Sequence, residues 1–316
     1  MEQDYFCSVY LTRFSICELF NNTETDFEQF IEMFNRSINE YSEASNIDIE
    51  CVTDLIDFKF KDVAFEDILL SYSNDDINAF SYYLSEIEKV TTPLVKYKNS
   101  YEAISLIQSK ENKPDHLAYP FSINNEITWP MLKETLHTYS WSNTQDLNTD
   151  FISKKSNSSN EFIHLSKKNF SFLDFHEDII DTLKTIPAGN FLEYKSIISH
   201  ALNTLNQSYT KISTDPNKNQ DDLNIISQIS SIIGLKKSLS CTRQGSSKVS
   251  RKFLKNNPKD DSDVETINCE YHLKINWNDT GKRLNSKHYI RVYFGLKSYE
   301  DKKRKQFKLA HIGKHL

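Results

Sequence analysis

The sequence predicts an α+β protein: an acidic N-terminal α/β domain over residues 1–148, a linker and helical region over 149–235, and a basic C-terminal antiparallel β-meander over 236–316. Three observations lead to that reading. Near the N-terminus an alternating apolar run, a helical apolar stripe and a second run rich in β-branched residues give the pattern of a β-α-β start. The middle holds helical periodicity with little alternation. The last stretch, Cys269 to Leu316, reads as three β-type runs parted by polar turns: CEYHLKINW, HYIRVYFGL and FKLAHIGKHL.

The first element is a strand, because Tyr5, Cys7, Val9 and Leu11 alternate with Phe6, Ser8 and Tyr10. A helix follows, capped by Thr25 or Asp26, with Phe27, Phe30, Ile31, Phe34, Ile38 and Tyr41 on one stripe. Ile47 to Phe60 alternates and is β-branched, so it reads as strand. Asp75 to Val90 is a second helix through Ile77, Phe80, Tyr83, Leu84 and Ile87, and Ser100 to Gln108 a short one. Trp129-Pro130 opens a further helix through Met131, Leu132, Leu136 and Tyr139. Asn148 to Asn160, with its SKKSNSSN core, offers little to bury and reads as a linker. Helices are expected over Phe170–Ile186, Phe191–Leu205 and Asp221–Ile233. Lys236 to Lys259 carries 8 Lys+Arg and no acid around a Gly-Ser-Ser, and reads as a basic loop.

Composition narrows the function classes. At 316 residues, 38% hydrophobic and 12% aromatic, the chain can bury a sizeable core, and it has no apolar run long enough to span a bilayer. MEQDYFCSVY lacks a basic segment followed by an apolar one, so no secretory signal is expected. Five cysteines, Cys7, Cys17, Cys51, Cys241 and Cys269, show no paired spacing and suit reduced thiols in a cytoplasm. The formal charge of −6 hides a gradient: residues 1–92 carry 5 Lys+Arg against 20 Asp+Glu, and residues 236–316 carry 20 against 8. A basic C-terminal part attracts polyanions, which predicts nucleic acid as its partner, RNA ahead of DNA. The acidic front suits a protein partner or restrains the basic back.

In the closing stretch, alternation places Cys269, Tyr271, Leu273, Ile275 and Trp277 on one face and Glu270, His272, Lys274 and Asn276 on the other. Ile290, Val292, Phe294 and Leu296 likewise oppose Arg291 and Tyr293. The third run is ambiguous: Phe307, Leu309 and His311 share one side, Lys308, Ala310 and Ile312 the other. If the polar faces align, His272, Lys274, Arg291 and Tyr293 lie on one open sheet surface, with His311, Lys314 and His315 at its rim. Cations and aromatics with almost no carboxylate suit a phosphodiester. Arg291, Tyr293, His311 and His272 are the candidate catalytic groups for metal-free RNA cleavage, in which the 2′-hydroxyl attacks. Lys248, Arg251, Lys252, Lys274, Lys314 and His315 are the candidate nucleic-acid contacts. An edge merely protected from aggregation explains the same charges. Cys269-x-x-His272 and His311-x-x-x-His315 have zinc-like spacings, but a strand sets Cys269 and His272 on opposite faces, so no metal or cofactor is called for. No Gly-Lys-Ser/Thr follows a glycine four residues earlier, so a nucleotide-hydrolysing loop is not expected.

Arg291-Val292-Tyr293-Phe294, a charged hairpin, and Leu309-Ala310-His311-Ile312-Gly313-Lys314-His315 resemble the closing hairpin of RelE and HigB-type bacterial toxins, in which an R-[VI]-x-[YF] strand precedes L-x-H and basic residues. The resemblance implies ribonuclease activity on messenger RNA, with Arg291 and Tyr293 at the phosphate and His311, Lys314 and His315 beside them. Those toxins are small, whereas a long acidic region precedes the hairpin here. A toxin-like module behind other domains implies a bacterial defence or abortive-infection factor. The expected function is thus a nucleic-acid-directed effector, with a non-enzymatic subunit or adaptor of a multiprotein complex as the alternative.

Overall fold

The computed structural model describes residues 6–16, 27–44, 46–60, 62–110, 117–122, 132, 136–186, 191–232, 239–244, 249–255, 263–299 and 304–316. The class is α+β, and contacts divide the chain into two compact units, Met1–Thr144 and Gln145–Leu316.

The first unit is built on a parallel sheet. Its elements run β1 (Cys7–Leu11), α1 (Phe27–Ser42), β2 (Ile47–Val52), β3 (Lys59–Phe60), β4 (Val63–Ala64), α2 (Phe65–Tyr72), α3 (Ile77–Thr91), β5 (Val95–Tyr97), α4 (Ser100–Lys110) and β6 (Leu117–Pro120). The sheet order is β5-β2-β1-β6, and every pairing in it is parallel. As the inner strand of such a sheet, β1 is buried at all five residues. The apolar stripe of α1 closes the core: Phe34 and Tyr41 meet Phe121 edge-on, and the Tyr41 hydroxyl bonds Thr138 Oγ1 at 3.1 Å and Thr144 Oγ1 at 2.6 Å.

Two expectations fail in this unit. Ile47–Phe60 is not one strand: β2 stops at Val52, and the chain turns before the small β3–β4 hairpin. The expected helix through Leu136 and Tyr139 is absent there. Thr138 instead bridges Phe121, its N–H bonding the Pro120 carbonyl at 3.0 Å, so this segment extends alongside β6. Trp129, Pro130 and Met131 lie outside the described residues.

The remaining elements are α5 (Trp141–Lys155), α6 (Ser159–Asn169), β7 (Leu173–Phe175), α7 (Ile179–Leu183), α8 (Lys195–Ser208), α9 (Asn219–Ile232), β8 (Cys241–Arg243), β9 (Ser250–Leu254), β10 (Val264–Asn268), β11 (Tyr271–Ile275), β12 (Ile290–Lys297) and β13 (Gln306–Lys314). Asn148–Asn160 is not a linker but lies in α5 and α6. Its polar side chains bond back onto the helices: Ser156 Oγ, just past α5, donates to the Ile152 carbonyl at 2.7 Å, and Asn148 Nδ2 of α5 to Asn169 Oδ1 of α6 at 2.9 Å. Phe170–Ile186 is not one helix either, because Leu173–Phe175 joins the sheet as β7. The basic stretch Lys236–Lys259 is not all loop, since it supplies β8 and β9.

The second unit centres on a five-stranded sheet, ordered β7-β13-β12-β11-β8 and antiparallel except for the β13–β7 pair. Its β11-β12-β13 core is the expected meander. One face carries Tyr271, Leu273, Ile275, Ile290, Val292 and Phe294 and is greasy as alternation requires, with α8 and α9 in the same unit. The other face is partly covered by the β9–β10 hairpin, whose Val249, Phe253, Ile267 and Cys269 pack with Tyr293 and Ala310. Gly295 admits this close approach: a Cβ there would meet Ile267 Cγ2 at 2.6 Å.

Candidate functional site

Alternation puts His272 on β11 and Arg291 and Tyr293 on β12 on the hairpin side of the sheet. His272 pairs with Tyr293 across the ladder and Lys274 with Arg291. The third strand reaches the same face through a bulge. Tyr293 pairs with His311 but Phe294 with Leu309, so Ala310 is the extra residue. Leu309 therefore stays with the greasy face, while Ala310 and His311 both turn toward the hairpin side.

Tyr293 is the centre of the cluster. Its ring lies 5.1 Å from that of His272, 5.6 Å from His311 and 6.5 Å from His315, and His272 and His315 are 6.1 Å apart. Its hydroxyl donates to Gln244 Oε1 at 2.5 Å and accepts from Leu316 N–H at 3.2 Å. Gln244 Nε2 donates to the Leu316 carbonyl at 3.1 Å, which closes a ring of bonds over the tyrosine. His311 Nε2 bonds the Lys314 carbonyl at 2.9 Å, and His315 N–H the Tyr289 carbonyl at 3.2 Å.

The expected open surface is therefore a correction. Tyr293, His311, His272 and Arg291 are 0%, 2%, 4% and 5% exposed; the hairpin packs on Tyr293, which Leu316 also meets. Lys274 is half-buried, and Lys314 and His315 are exposed. Arg291 Nη1 bonds Asn276 Oδ1 at 3.1 Å and the Ile290 carbonyl at 2.8 Å, and the guanidinium carbon stands 5.0 Å from the Tyr289 ring centre. Arg291 Nε is buried with no hydrogen-bond partner among the described residues. His272 Nε2 bonds Thr242 Oγ1 at 3.1 Å, while its Nδ1 is buried without one.

Burial and cationic neighbours set the charges. Desolvation, then Arg291, Lys274 and His315, hold His272 down to about 4; the Glu270 backbone opposes this without closing a bond to Nδ1. Desolvation, with Arg251 nearby, holds His311 down to about 4, although the Lys314 carbonyl opposes it. His315 is lowered by burial, Arg291 and Lys274, and Tyr293 is raised by burial. At neutral pH the cluster thus pairs neutral imidazoles with Arg291 and Lys274. The adjacent carboxylate, Glu270, is held by Arg243 at 3.0 Å. Such a site has donors, bases and positive charge to offer an anion.

Of the expected contacts, Arg251 stands near His311 with its Nε buried and unpartnered. Lys252 lies elsewhere: it is exposed and lines a cleft of about 520 Å³ with Lys167, Asp174, His176 and Phe253. Lys248 lies outside the described residues. Cys269 packs into the hairpin core, and no group of three or more His, Cys, Asp or Glu among the described residues is placed to hold a metal ion. Sequence reasoning overlooks Gln244 and Thr242, and places Asn276 on the polar face without giving it a role. The first two are lone polar residues in a basic stretch, and nothing in their spacing marks them. Among the described residues no helix is long and apolar enough to cross a membrane. No protein-family model, curated protein or solved structure matches the chain.

Proposed function

We propose that the protein is a nucleic-acid-directed effector that engages RNA through phosphate held at the Arg291 cluster. The observation that carries this reading is Arg291 itself: a buried guanidinium with an unpartnered Nε, beside Lys274, His272 and His315, with no ion-pair carboxylate among the described residues. An unpaired buried charge is costly, and an anion is the group that relieves it. RNA is favoured over DNA because the 2′-hydroxyl gives neutral histidines a proton to take.

In the cleaving form of this proposal, His272 or His311 accepts the 2′ proton as the 2′-oxygen attacks phosphorus. Arg291 stabilises the charge that develops on the phosphate, and a second protonated group returns a proton to the departing 5′-oxygen. The products are a 2′,3′-cyclic phosphate and a 5′-hydroxyl. The likeness of the hairpin to RelE and HigB-type toxins supports this form, as does the position of Tyr293 beside Arg291.

The test is a nuclease assay paired with RNA binding at low and moderate salt. Wild type should bind with marked salt dependence, and Arg291→Ala should weaken binding by about tenfold or more. Cleavage that Arg291→Ala abolishes and Tyr293→Phe slows supports the enzyme. Absence of RNA binding at low salt ends the proposal in favour of a non-enzymatic adaptor, which co-purification in a stoichiometric complex would then establish.

A further inference from the structure

Resting on that reading, the way the cluster is closed narrows which phosphate it takes. An internal phosphodiester carries a nucleoside on each side and needs a groove open at both ends. Next to Arg291 on the same face of β12, Tyr293 is sealed with Ala310 under the hairpin's apolar residues Val249, Phe253 and Cys269. The same tyrosine is tied down by the Gln244–Leu316–Tyr293 bonds. What stays accessible near Arg291 is half-buried Lys274 with exposed His315, and exposed Lys314 opposite Ile290. A group that enters there must carry its chain behind it, on one side only.

We propose that the site takes a terminal phosphomonoester, the phosphorylated end of an RNA strand, rather than a phosphate within the chain. The charge agrees with the shape. A monoester carries about −1.5 to −2 at neutral pH, against about −1 for a diester. Arg291 and Lys274 flank His272 and His315 with Glu270 already committed to Arg243, so the larger charge is the better match. The donors agree too. Arg291 Nε and His272 Nδ1 are N–H groups, or potential ones, with nothing to bond. A monoester has three free oxygens, so it can accept from both and still face Lys274 and His315. Because its second proton leaves near pH 6, the monoester can share that proton with a histidine that burial keeps neutral. With a strand end held at the cluster, the binding form of the proposed function stands and its cleaving form falls, because the groups that would cut a phosphodiester are occupied by the terminal phosphate.

The experiment measures binding of the full chain to one short RNA sequence in four forms: 5′-phosphorylated, 3′-phosphorylated, hydroxyl at both ends, and 5′-phosphorylated DNA. Inorganic phosphate serves as competitor. The expected result is that one phosphorylated form binds about tenfold or more tighter than the hydroxyl form. The preference should vanish in Lys274→Glu and in Arg291→Ala. Lys274→Glu is the safer variant, because the Lys274 side chain is half-buried where that of Arg291 is buried. Equal binding of phosphorylated and hydroxyl ends, still weakened by Lys274→Glu, overturns the terminal assignment and leaves the phosphate reading standing. No binding of any form at low salt overturns both. If inorganic phosphate competes as well as the phosphorylated strand, the ligand is a small phosphomonoester, and the assignment to an RNA end is wrong.

Discussion

His272 and His311 are the residues on which chemistry at this site turns, and both are neutral because burial outweighs their hydrogen bonds. This has a sign that can be measured. The unfolded chain binds a proton on each histidine near the ordinary value of about 6.5, whereas the folded chain does so only near 4. Over that window the unfolded state holds more protons, so stability present above the upper value is lost as pH falls toward the lower one. His200, held at about 4 by burial against Ser230, adds to the same loss. Urea unfolding of His272→Gln/His311→Gln should show a pH dependence smaller than wild type by on the order of a few kcal/mol. An identical dependence would mean that the two rings are not buried neutral bases. At this scale the sequence is informative where alternation is unbroken: His272, Arg291 and Tyr293 share a face for the reason that spacing predicts. It is silent on their burial, because the covering hairpin comes from a stretch whose 8 Lys+Arg make it look like loop.

At the scale of elements, β13 shows how an edge is completed. β7 pairs only with Phe307–Leu309, and beyond it the β13 N–H groups of Ile312 and Lys314 donate to Thr182 Oγ1 at 3.0 Å and Thr185 Oγ1 at 3.1 Å. Helix α7 and the turn after it thus finish the work of a strand with two threonine hydroxyls. The approach is so close that a Cβ on Gly313 would overlap Thr185 Oγ1 and the Thr182 carbonyl. Gly313→Ala should therefore destabilise the protein by about 1–3 kcal/mol and loosen residues 314–316 over the cluster. The midpoint of denaturant unfolding reads the first effect and RNA affinity the second; an unchanged midpoint would show that α7 moves aside freely. Helices with a clear apolar stripe, such as α1 and α3, are legible in the sequence. The α5–α6 pair is not, since Trp141, Ile152, Phe162 and Ile163 are buried among a larger number of Asn, Gln, Ser and Thr, residues that ordinarily mark solvent or turns. β7 hides for a different reason: three residues between apolar helical patterns carry too little signal to outweigh them.

For the whole molecule, the charge gradient coincides with the division into units. Residues 1–144 carry 10 Lys+Arg against 25 Asp+Glu, and residues 145–316 carry 28 against 19. A tethered acidic unit lowers the local potential that a polyanion meets, so residues 145–316 alone should bind RNA more tightly than the full chain at low salt, with the gap closing as salt rises. Equal affinity at every salt concentration would show that the acidic unit plays no part in restraining the basic one. The bulge at Ala310 bears on how this chain is to be matched with others. Ala310 and His311 already lie on one side of β13, so a strand that lacked the extra residue would keep Leu309 in the greasy layer and His311 beside Tyr293. A chain sharing this sheet could thus differ by a one-residue gap in the middle of its last strand and carry the same imidazole in the same place. An alignment that refused that gap would pair His311 with the wrong neighbour and overlook the kinship.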